Sequence, residues 1–266
     1  MSGRNTDAHA AAMQELLDVI DALLGPGGCP WDQEQTPESM CDYLVEEAFE
    51  LIDGIRRGDR NEAKEELGDV FFILLFIATL YERAGGFTLT DSLRHSAAKM
   101  IRRHPHVFDD TTFGSIQELW DNWERTKRKE NEGSDRKRVF DSLPAGLPPL
   151  LKAYRINSKA ARNNFTWKAD QDVQIQLESE WREWQEAMAE DDQEAAEREF
   201  GDYLFTLVEL GRRKGIKANA ALDFANQKFL RRFAAMEELA EMRGLTFSDL
   251  DLDAMNTLWD EVKTQD

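Results

Sequence analysis

The stretch EELGDVFFILLF, residues 65–76, joins a long apolar run to two acids near its start, Glu66 and Asp69. The acids are three positions apart, so they share one face of a helix. The run is shorter than the about 20 residues that a membrane-spanning helix needs. The stretch therefore predicts a helix buried in a protein core, with carboxylates at the edge of that core. A second copy of the pattern, REFGDYLFTLVE, occupies residues 198–209.

The composition indicates a globular, helix-rich protein. Of the 266 residues, 41% are hydrophobic and 32% are charged, and there are 7 prolines. The formal net charge of −19 repels polyanions, so we expect neither nucleic acid nor an anionic membrane as a partner. The two cysteines, Cys29 and Cys41, have no CxxC spacing. They predict reduced thiols in a cytoplasmic protein, and the first residues show no signal-peptide pattern.

Helical periodicity runs through nearly the whole chain. One predicted helix has Thr36 as its N-cap and Pro37 at its first position, and Gly58 lies just past its end. A second runs from about residue 61 to residue 83. No stretch alternates with period two between hairpin turns. We therefore expect an all-α fold of tandem helical bundles.

The two halves of the chain repeat each other. Glu47 and Glu180 are 133 positions apart, and so are Asp69 and Asp202. Other landmarks keep the same order at similar offsets, which indicates an internal duplication. These are Trp31 with Trp167, Lys99 with Lys228, and Trp123 with Trp259. A stretch with three prolines between the halves does not continue a helix. We predict one helical domain over residues 1–135, a linker over 136–150 and a second domain over 151–266.

Each half carries an ExxE pair followed, at an equal distance, by an ExxD pair. If the two helices pack antiparallel, four carboxylates converge. Like charges repel strongly at a few ångströms, and a hard divalent cation with oxygen ligands resolves that repulsion. The pattern predicts a Mg²⁺ site, with Mn²⁺ as a substitute. The predicted ligands are Glu47, Glu50, Glu66 and Asp69 in the first half, and Glu180, Glu183, Glu199 and Asp202 in the second.

Two other interpretations explain the acids less well than a metal site does. A solvated acidic surface explains most glutamate clusters, but it does not explain two pairs duplicated with equal gaps. A di-iron centre needs ExxH motifs, and none of the four histidines has that spacing. Gly68 and Gly201 interrupt both acid-bearing helices at the same place. Because glycine costs a helix about 1 kcal/mol relative to alanine, we expect a neighbour to approach closely there.

Clustered bases stand out in so acidic a chain. Arginine forks suit phosphate oxygens, and an indole can stack on a nucleobase, so these residues predict a wall that binds a nucleotide tail and base. The alternatives are ion pairs of the bases with the many glutamates and packing of the tryptophans in the core. A tryptophan and a lysine four residues on also repeat, as Trp123 with Lys127 and Trp259 with Lys263. The predicted wall comprises Lys99, Arg102 and Arg103 in the first half, and Asn226, Lys228, Arg231, Arg232, Trp259 and Lys263 in the second.

The motifs CPWDQEQT, YLVEEAFELIDGI, EELGDVFF and RRHPHVF resemble the MazG family of nucleoside triphosphate pyrophosphohydrolases, and EFGDYLF, ANQKFLRRF and LWDEVK resemble its second half. The resemblance covers essentially the whole chain. It implies an all-α homodimer with tandem domains. It also implies Mg²⁺-dependent hydrolysis of nucleoside triphosphates, ATP among them, to the monophosphate and pyrophosphate in nucleotide-pool housecleaning.

The resemblance also implies roles for single residues. Besides the acids, the family usually carries a glutamate just before the ExxE motif, present here as Glu46 and replaced by Ser179 in the second half. A lysine that relatives carry shortly before the motif is Gln176 here. The resemblance favours the second half as the active one, with Lys228 and its neighbours near the nucleotide. The candidate catalytic acids are Glu46, Glu47 and Glu180.

Two alternatives stay open at the level of sequence. One is an all-α pyrophosphatase of narrower choice, acting on dUTP or phosphoribosyl-ATP. The other is a non-catalytic helical module that binds nucleotides or a partner protein. Complete acid motifs in both halves argue against the second alternative, because a scaffold has no need of them.

Overall fold

The computed structural model describes residues 5–130 and 138–264, apart from the side chains of six residues in one helix: Gln117, Asp121, Glu124, Lys127, Arg128 and Lys129. Over those ranges the chain forms helices, turns and loops and no strand, which confirms the predicted all-α class. The chain divides into two compact units, Met1–Glu132 and Gly133–Asp266. The predicted boundary at residue 135 and the first residues of the predicted linker lie outside the described residues.

Each unit is built around two long helices joined by a short turn. The helices of the first unit are α1 (Thr6–Leu24), α2 (Pro30–Gln33), α3 (Met40–Arg57), α4 (Arg60–Arg83), α5 (Leu89–Arg103), α6 (Pro105–Phe108) and α7 (Ile116–Glu130). The helices of the second unit are α8 (Pro149–Arg162), α9 (Asp170–Ala189), α10 (Gln193–Arg213), α11 (Ala218–Met242) and α12 (Leu252–Lys263), with a 3₁₀ turn at Phe247–Asp249.

The apolar run of α4 is only partly a core element. Ile73, Leu75 and Phe76 are buried against α1 and the start of α3. Phe71 and Leu74, on another face of the same helix, are 44% and 46% exposed. The prediction of a buried helix therefore holds for one face of α4 only. Within the described ranges, no helix combines the length and the apolar character needed to cross a membrane.

The first hairpin, α3–α4, is closed by a left-handed residue and a close helix contact. Gly58 ends α3 with φ 73°, as predicted, and Asp59 caps α4 through its side chain. A methyl group on Gly54 would lie 3.0 Å from the backbone nitrogen of Ala63, so this glycine permits the close approach of the two helices. At Gly68 and Gly201, by contrast, an added Cβ would meet no described atom within 4 Å. The expectation of a close neighbour at Gly68 and Gly201 is therefore wrong for a single copy of the chain.

The second hairpin, α9–α10, repeats this construction with other residues. Asp191, 133 positions after Gly58, is left-handed with φ 57°. Ala187 and Ala196, the counterparts of Gly54 and Ala63, are both buried. At the open end of the hairpin, Asp170 on α9 accepts hydrogen bonds from Arg213 at 2.7 Å and Lys214 at 2.5 Å. These bonds tie the start of α9 to the end of α10 and hold the two helices alongside each other.

The start of α3 differs from the sequence expectation. The helix begins at Met40, and residues 37–39 form a turn. The Thr36 hydroxyl accepts a hydrogen bond from the backbone N–H of Ser39 at 3.2 Å, so Thr36 caps that turn. The predicted N-cap at Thr36 is therefore one turn too early, because Thr36, Ser39 and Gln35 satisfy each other's polar groups before the helix starts.

We expect Asp191→Gly to stabilise the second unit by about 0.5–1 kcal/mol. A side chain in the left-handed region costs about 1–2 kcal/mol, and glycine removes that cost while adding some chain entropy to the unfolded state. Urea unfolding measures the change. Glu190→Gly, at a right-handed position next to it, is the control and should destabilise the protein. Equal destabilisation by both changes would contradict this reading of the turn.

Candidate metal centres

The α3–α4 hairpin brings three carboxylates of the first unit together. Glu47, Glu66 and Asp69 each offer an oxygen within 4.8 Å of the others. Glu47 and Glu66 are half-buried at the helix interface, and Asp69 is exposed. Glu50, the fourth predicted ligand, lies outside this group. Its charge is still close enough to raise the pKa values of both Glu47 and Glu66.

The first-unit acids share a proton in the absence of a cation. Burial raises the pKa of Glu66 to about 7, with further contributions from its hydrogen bond to Glu47 and from the charges of Glu50, Glu47 and Asp69. Burial also raises the pKa of Glu47, and the hydrogen bond from Glu66 opposes that rise. Glu66 therefore holds the proton and donates it to Glu47. Such a site gains stability when a cation replaces the proton.

The second unit repeats the group at the offset of 133. Glu180, Glu199 and Asp202 offer oxygens within 4.8 Å of one another, with the same order of burial as in the first unit. Glu183, like Glu50, lies outside the group. In both units the structure thus joins three of the four predicted ligands. The oxygen-only donor set is the one that hard divalent cations prefer.

Two neutral side chains of α9 contact the second-unit acids. Gln176 Nε2 donates to Glu180 Oε1 at 2.7 Å, and Ser179 Oγ donates to Glu183 Oε1 at 2.8 Å. In the sequence, these two positions stand out only as departures from the family pattern. The signal that could have revealed their contacts is the spacing of four residues between each donor and its acid, which is one helical turn.

The basic residues of the first unit are neutralised within the unit. Arg102 donates to Glu130 Oε1 through Nε at 3.2 Å and Nη2 at 3.1 Å. Arg103 donates to Glu130 Oε2 at 3.0 Å and 2.5 Å, and its guanidinium lies 5.6 Å from the centre of the Trp123 ring. One carboxylate on α7 thus takes the place that a phosphate group would occupy between two arginine forks. Lys99 is half-buried on α5, the helix that also carries the two arginines.

The basic residues of the second unit lie on α11 and α12. Within residues 138–264, Lys228 and Arg231 make no ion pair. Arg232 lies over the Trp259 ring at 6.0 Å, which repeats the arginine–tryptophan pair of the first unit. Trp259 also packs on Phe229, with ring centres 5.2 Å apart, so its indole is partly a packing element.

The remaining members of the predicted walls are at the surface or outside the described part. Asn226 is exposed on α11. Lys263 is exposed and lies 3.4 Å from Asp260. Glu46 is exposed, and its charge contributes to the raised pKa of Glu47. The side chain of Lys127 lies outside the described residues. Sequence reasoning missed Glu130, although an acid on the helix after two adjacent arginines was a visible signal.

Comparison with known proteins decides the family. The model of the MazG nucleotide pyrophosphohydrolase domain matches residues 35–108, which include all four first-unit acids. The nucleoside triphosphate pyrophosphohydrolase/pyrophosphatase MazG of Thermotoga maritima is 38% identical over 253 residues, covering 95% of this chain and 96% of that protein. This chain belongs to the MazG family. The nucleoside triphosphate pyrophosphohydrolase of Escherichia coli (strain K12) is 36% identical over 257 residues, or 96% of this chain and 98% of the relative.

Membership of the MazG family confirms the resemblance and the predicted enzyme class. The relatives above are named nucleoside triphosphate pyrophosphohydrolases, and this chain matches them over nearly their whole length. A solved MazG-related protein from Thermotoga maritima covers 43% of this chain and 98% of its own, with 26% identity and a TM-score of 0.39. For this chain, the acid groups support a metal-binding role.

The raised pKa of Glu66 predicts a pH dependence of stability in the metal-free protein. The folded state keeps the Glu66 proton up to a pKa of about 7, whereas the ordinary value is 4.5, so folding is favoured at low pH and that contribution is lost as the pH rises through 7. In chelator, the melting temperature should fall more between pH 5 and pH 8 for the wild type than for Glu66→Gln, whose side chain stays neutral.

Thermal melts of the two proteins at both pH values measure this difference. Saturating Mg²⁺ serves as the control, because a bound cation keeps the carboxylates ionised at either pH and should shrink the difference. Parallel falls of the two proteins in chelator would contradict the shared proton.

Proposed function

We propose that this protein hydrolyses nucleoside triphosphates to the monophosphate and pyrophosphate at a Mg²⁺ site in its second unit. The observation that carries the proposal is the group formed by Glu180, Glu199 and Asp202, whose oxygens lie within 4.8 Å of one another. Three carboxylates this close repel one another, and a bound divalent cation offsets that repulsion. The group stands in a chain of the MazG family, so the cation has a substrate whose phosphates it can bind.

The residues present fit a hard divalent ion. Every donor of the group is a carboxylate oxygen, which suits Mg²⁺ or Mn²⁺ better than a softer metal. The exposed Asp202 leaves the group open toward solvent, and therefore toward a ligand. When bound there, the ion supplies charge neutralisation of the phosphate tail and a water of lowered pKa.

The two units differ in their cations, and this difference supports the second unit as the active one. Arg102 and Arg103 are held by Glu130, so binding a triphosphate in the first unit must first break four charged hydrogen bonds. Lys228 and Arg231 have no such competitor within residues 138–264. A polyphosphate needs fixed cations to offset the charge that develops on its oxygens during reaction.

The protein's own residues then account for the steps of the reaction. Lys228 and Arg231 bind oxygens of the phosphate chain and orient it for in-line attack on the α-phosphorus. A water oxygen forms the new bond to that phosphorus, and the bond to the bridging oxygen breaks, so pyrophosphate leaves. Glu180, or another carboxylate of the group, accepts the proton of the attacking water. Glu46 and Glu47 are the corresponding candidates in the first unit.

A homodimer is part of the proposal. The face of the first hairpin that points away from its core carries an apolar stripe at helical spacing. The stripe consists of Val45, Phe49 and Ile52 on α3 and Leu67, Phe71 and Leu74 on α4, each 38–54% exposed. Such a face favours burial against the same face of a second copy. Light scattering at micromolar concentration tests this association, and a monomer would contradict it.

Location and partners follow from the substrate. Nucleoside triphosphates are cytoplasmic, so we place the enzyme in the cytoplasm, in keeping with the two free cysteines. The net charge of −19 supports small nucleotides rather than nucleic acid as the ligand. Removal of unwanted triphosphates from the nucleotide pool is the cellular role that we propose.

The direct test is product analysis across the eight common nucleoside triphosphates and several modified ones. With Mg²⁺ we expect the monophosphate and pyrophosphate, and with excess chelator no turnover. Nucleoside diphosphate and orthophosphate would place the attack at the γ-phosphorus and overturn the proposal. Activity on dUTP or phosphoribosyl-ATP alone would favour a narrower pyrophosphatase, and no turnover of any substrate would favour a binding module.

Matched pairs of isosteric variants test which unit works. Glu180→Gln with Asp202→Asn removes two acids from the second unit, and Glu47→Gln with Asp69→Asn does the same at the corresponding positions of the first. Since bound metal contributes several kcal/mol to the transition state, we expect the second-unit variant to lose about 100-fold or more in kcat/KM.

The first-unit variant should keep most of the rate. Steady-state kinetics of both variants, with circular dichroism to confirm folding, provides the comparison. If the first-unit variant is inactive and the second-unit variant is active, the active site lies in the first unit and the proposed assignment is wrong.

A further inference from the structure

The second unit contains two hydrogen-bond donors that its duplicate lacks. Gln176 donates to Glu180 at 2.7 Å, and Ser179 donates to Glu183 at 2.8 Å, each across one turn of α9. Gln176, Ser179 and Glu180 are half-buried, whereas Glu183 is exposed. Two of the four predicted acids of this unit are therefore held by neutral partners on their own helix.

The corresponding positions of the first unit hold Tyr43 and Glu46. A carboxylate at position 46 only accepts hydrogen bonds, and the charge of Glu46 adds to the repulsion around Glu47. Within residues 5–130 the structure gives neither Glu47 nor Glu50 an amide or alcohol side-chain donor. Glu47 instead accepts its hydrogen bond from another acid, Glu66. The two units thus answer the same crowding of carboxylates in different ways.

A neutral donor has a specific advantage beside a cation site. Each hydrogen bond restricts the rotamers of a long acid side chain, so less conformational entropy is lost when the acid binds a metal ion. The amide and the hydroxyl carry no charge and therefore do not compete with the cation. Only one oxygen of each carboxylate accepts these bonds, so the other oxygen of Glu180 and of Glu183 stays available as a ligand.

We propose that Gln176 and Ser179 are positioning residues of the second-unit cation site: Gln176 pre-orients Glu180 for the cation, and Ser179 orients Glu183, which lies outside the group of three acids, to join them as a fourth ligand. This inference rests on the proposed metal binding by the second-unit acids. It also gives Ser179 a role of its own: in this chain the position supplies a hydrogen-bond donor to the acid one turn further along. Neither residue touches the reacting atoms in this account, and both act through the acids that they hold.

The test is Mn²⁺ binding to the full-length protein, followed by electron paramagnetic resonance. The parent carries Glu47→Gln and Asp69→Asn, so that the second unit dominates the titration. Into it we introduce Gln176→Met, which keeps the length of the side chain without a donor, or Ser179→Ala. Each should weaken Mn²⁺ binding by about 10-fold, the lower end of the range for partners of metal ligands.

Two matched variants serve as controls. Ser179→Thr keeps the hydroxyl and should retain the parent affinity. Gln193→Ala removes a glutamine–glutamate bond of the same spacing, from Gln193 Nε2 to Glu197 Oε1 at 3.1 Å, outside the acid group, and should also retain it. Melting temperatures in chelator establish that every variant is folded, so a changed affinity does not reflect unfolding.

The outcomes separate the inference from the function on which it rests. A parent that binds no Mn²⁺ overturns the proposed metal site itself. If Gln176→Met and Ser179→Ala both bind Mn²⁺ as tightly as the parent does, the positioning role alone is overturned. A loss at only one position overturns the assignment of the other residue. A loss that Gln193→Ala reproduces shows a general effect of helix hydrogen bonds and also overturns the inference.

Discussion

The repulsion among carboxylates that a helical hairpin forces together is the constraint on which the sites of this protein depend. Two antiparallel helices joined by a turn of two or three residues have little freedom to move apart. Acids on their facing sides therefore lie within 4.8 Å of one another. The protein must supply a proton, a hydrogen-bond donor or a metal ion to offset that repulsion. The choice among these three distinguishes the two units.

The first unit uses a proton and an internal anion. Glu66 keeps its proton up to a pKa of about 7 and shares it with Glu47, and Glu130 satisfies Arg102 and Arg103. The charges of the acid group and of the basic group are thus each offset by residues of the unit itself. A ligand that binds there must displace these internal partners, and their free energy is subtracted from its affinity.

The second unit leaves more of its charge for a ligand. Its acids receive hydrogen bonds from Gln176 and Ser179, which add no charge. Lys228 and Arg231 have no ion pair within residues 138–264. The clamp of Asp170 by Arg213 and Lys214 lies away from these acids and ties the start of α9 to the end of α10.

Much of the architecture was predictable because it rests on local rules. The period of the apolar residues predicted the helices, and the offset of 133 between the repeated acids revealed the duplication. Glycine at position 58 predicted the end of α3, since few residues tolerate φ 73°. The same rule did not reveal the second hairpin turn, where Asp191 adopts the left-handed conformation that glycine favours.

The sequence by itself determined the all-α class and the residue types of the sites, because these depend on neighbours within about one helical turn. It also determined the repeat, because comparing the two halves of the sequence requires no tertiary contact. Only the tertiary structure decided which acids meet, and it joined three in each unit where spacing suggested four. It also decided that Gly54 rather than Gly68 permits close helix contact, and that Glu130 binds Arg102 and Arg103. These outcomes depend on the angle and depth at which helices pack, which side chains distant in sequence set together. A local pattern contains no record of that geometry.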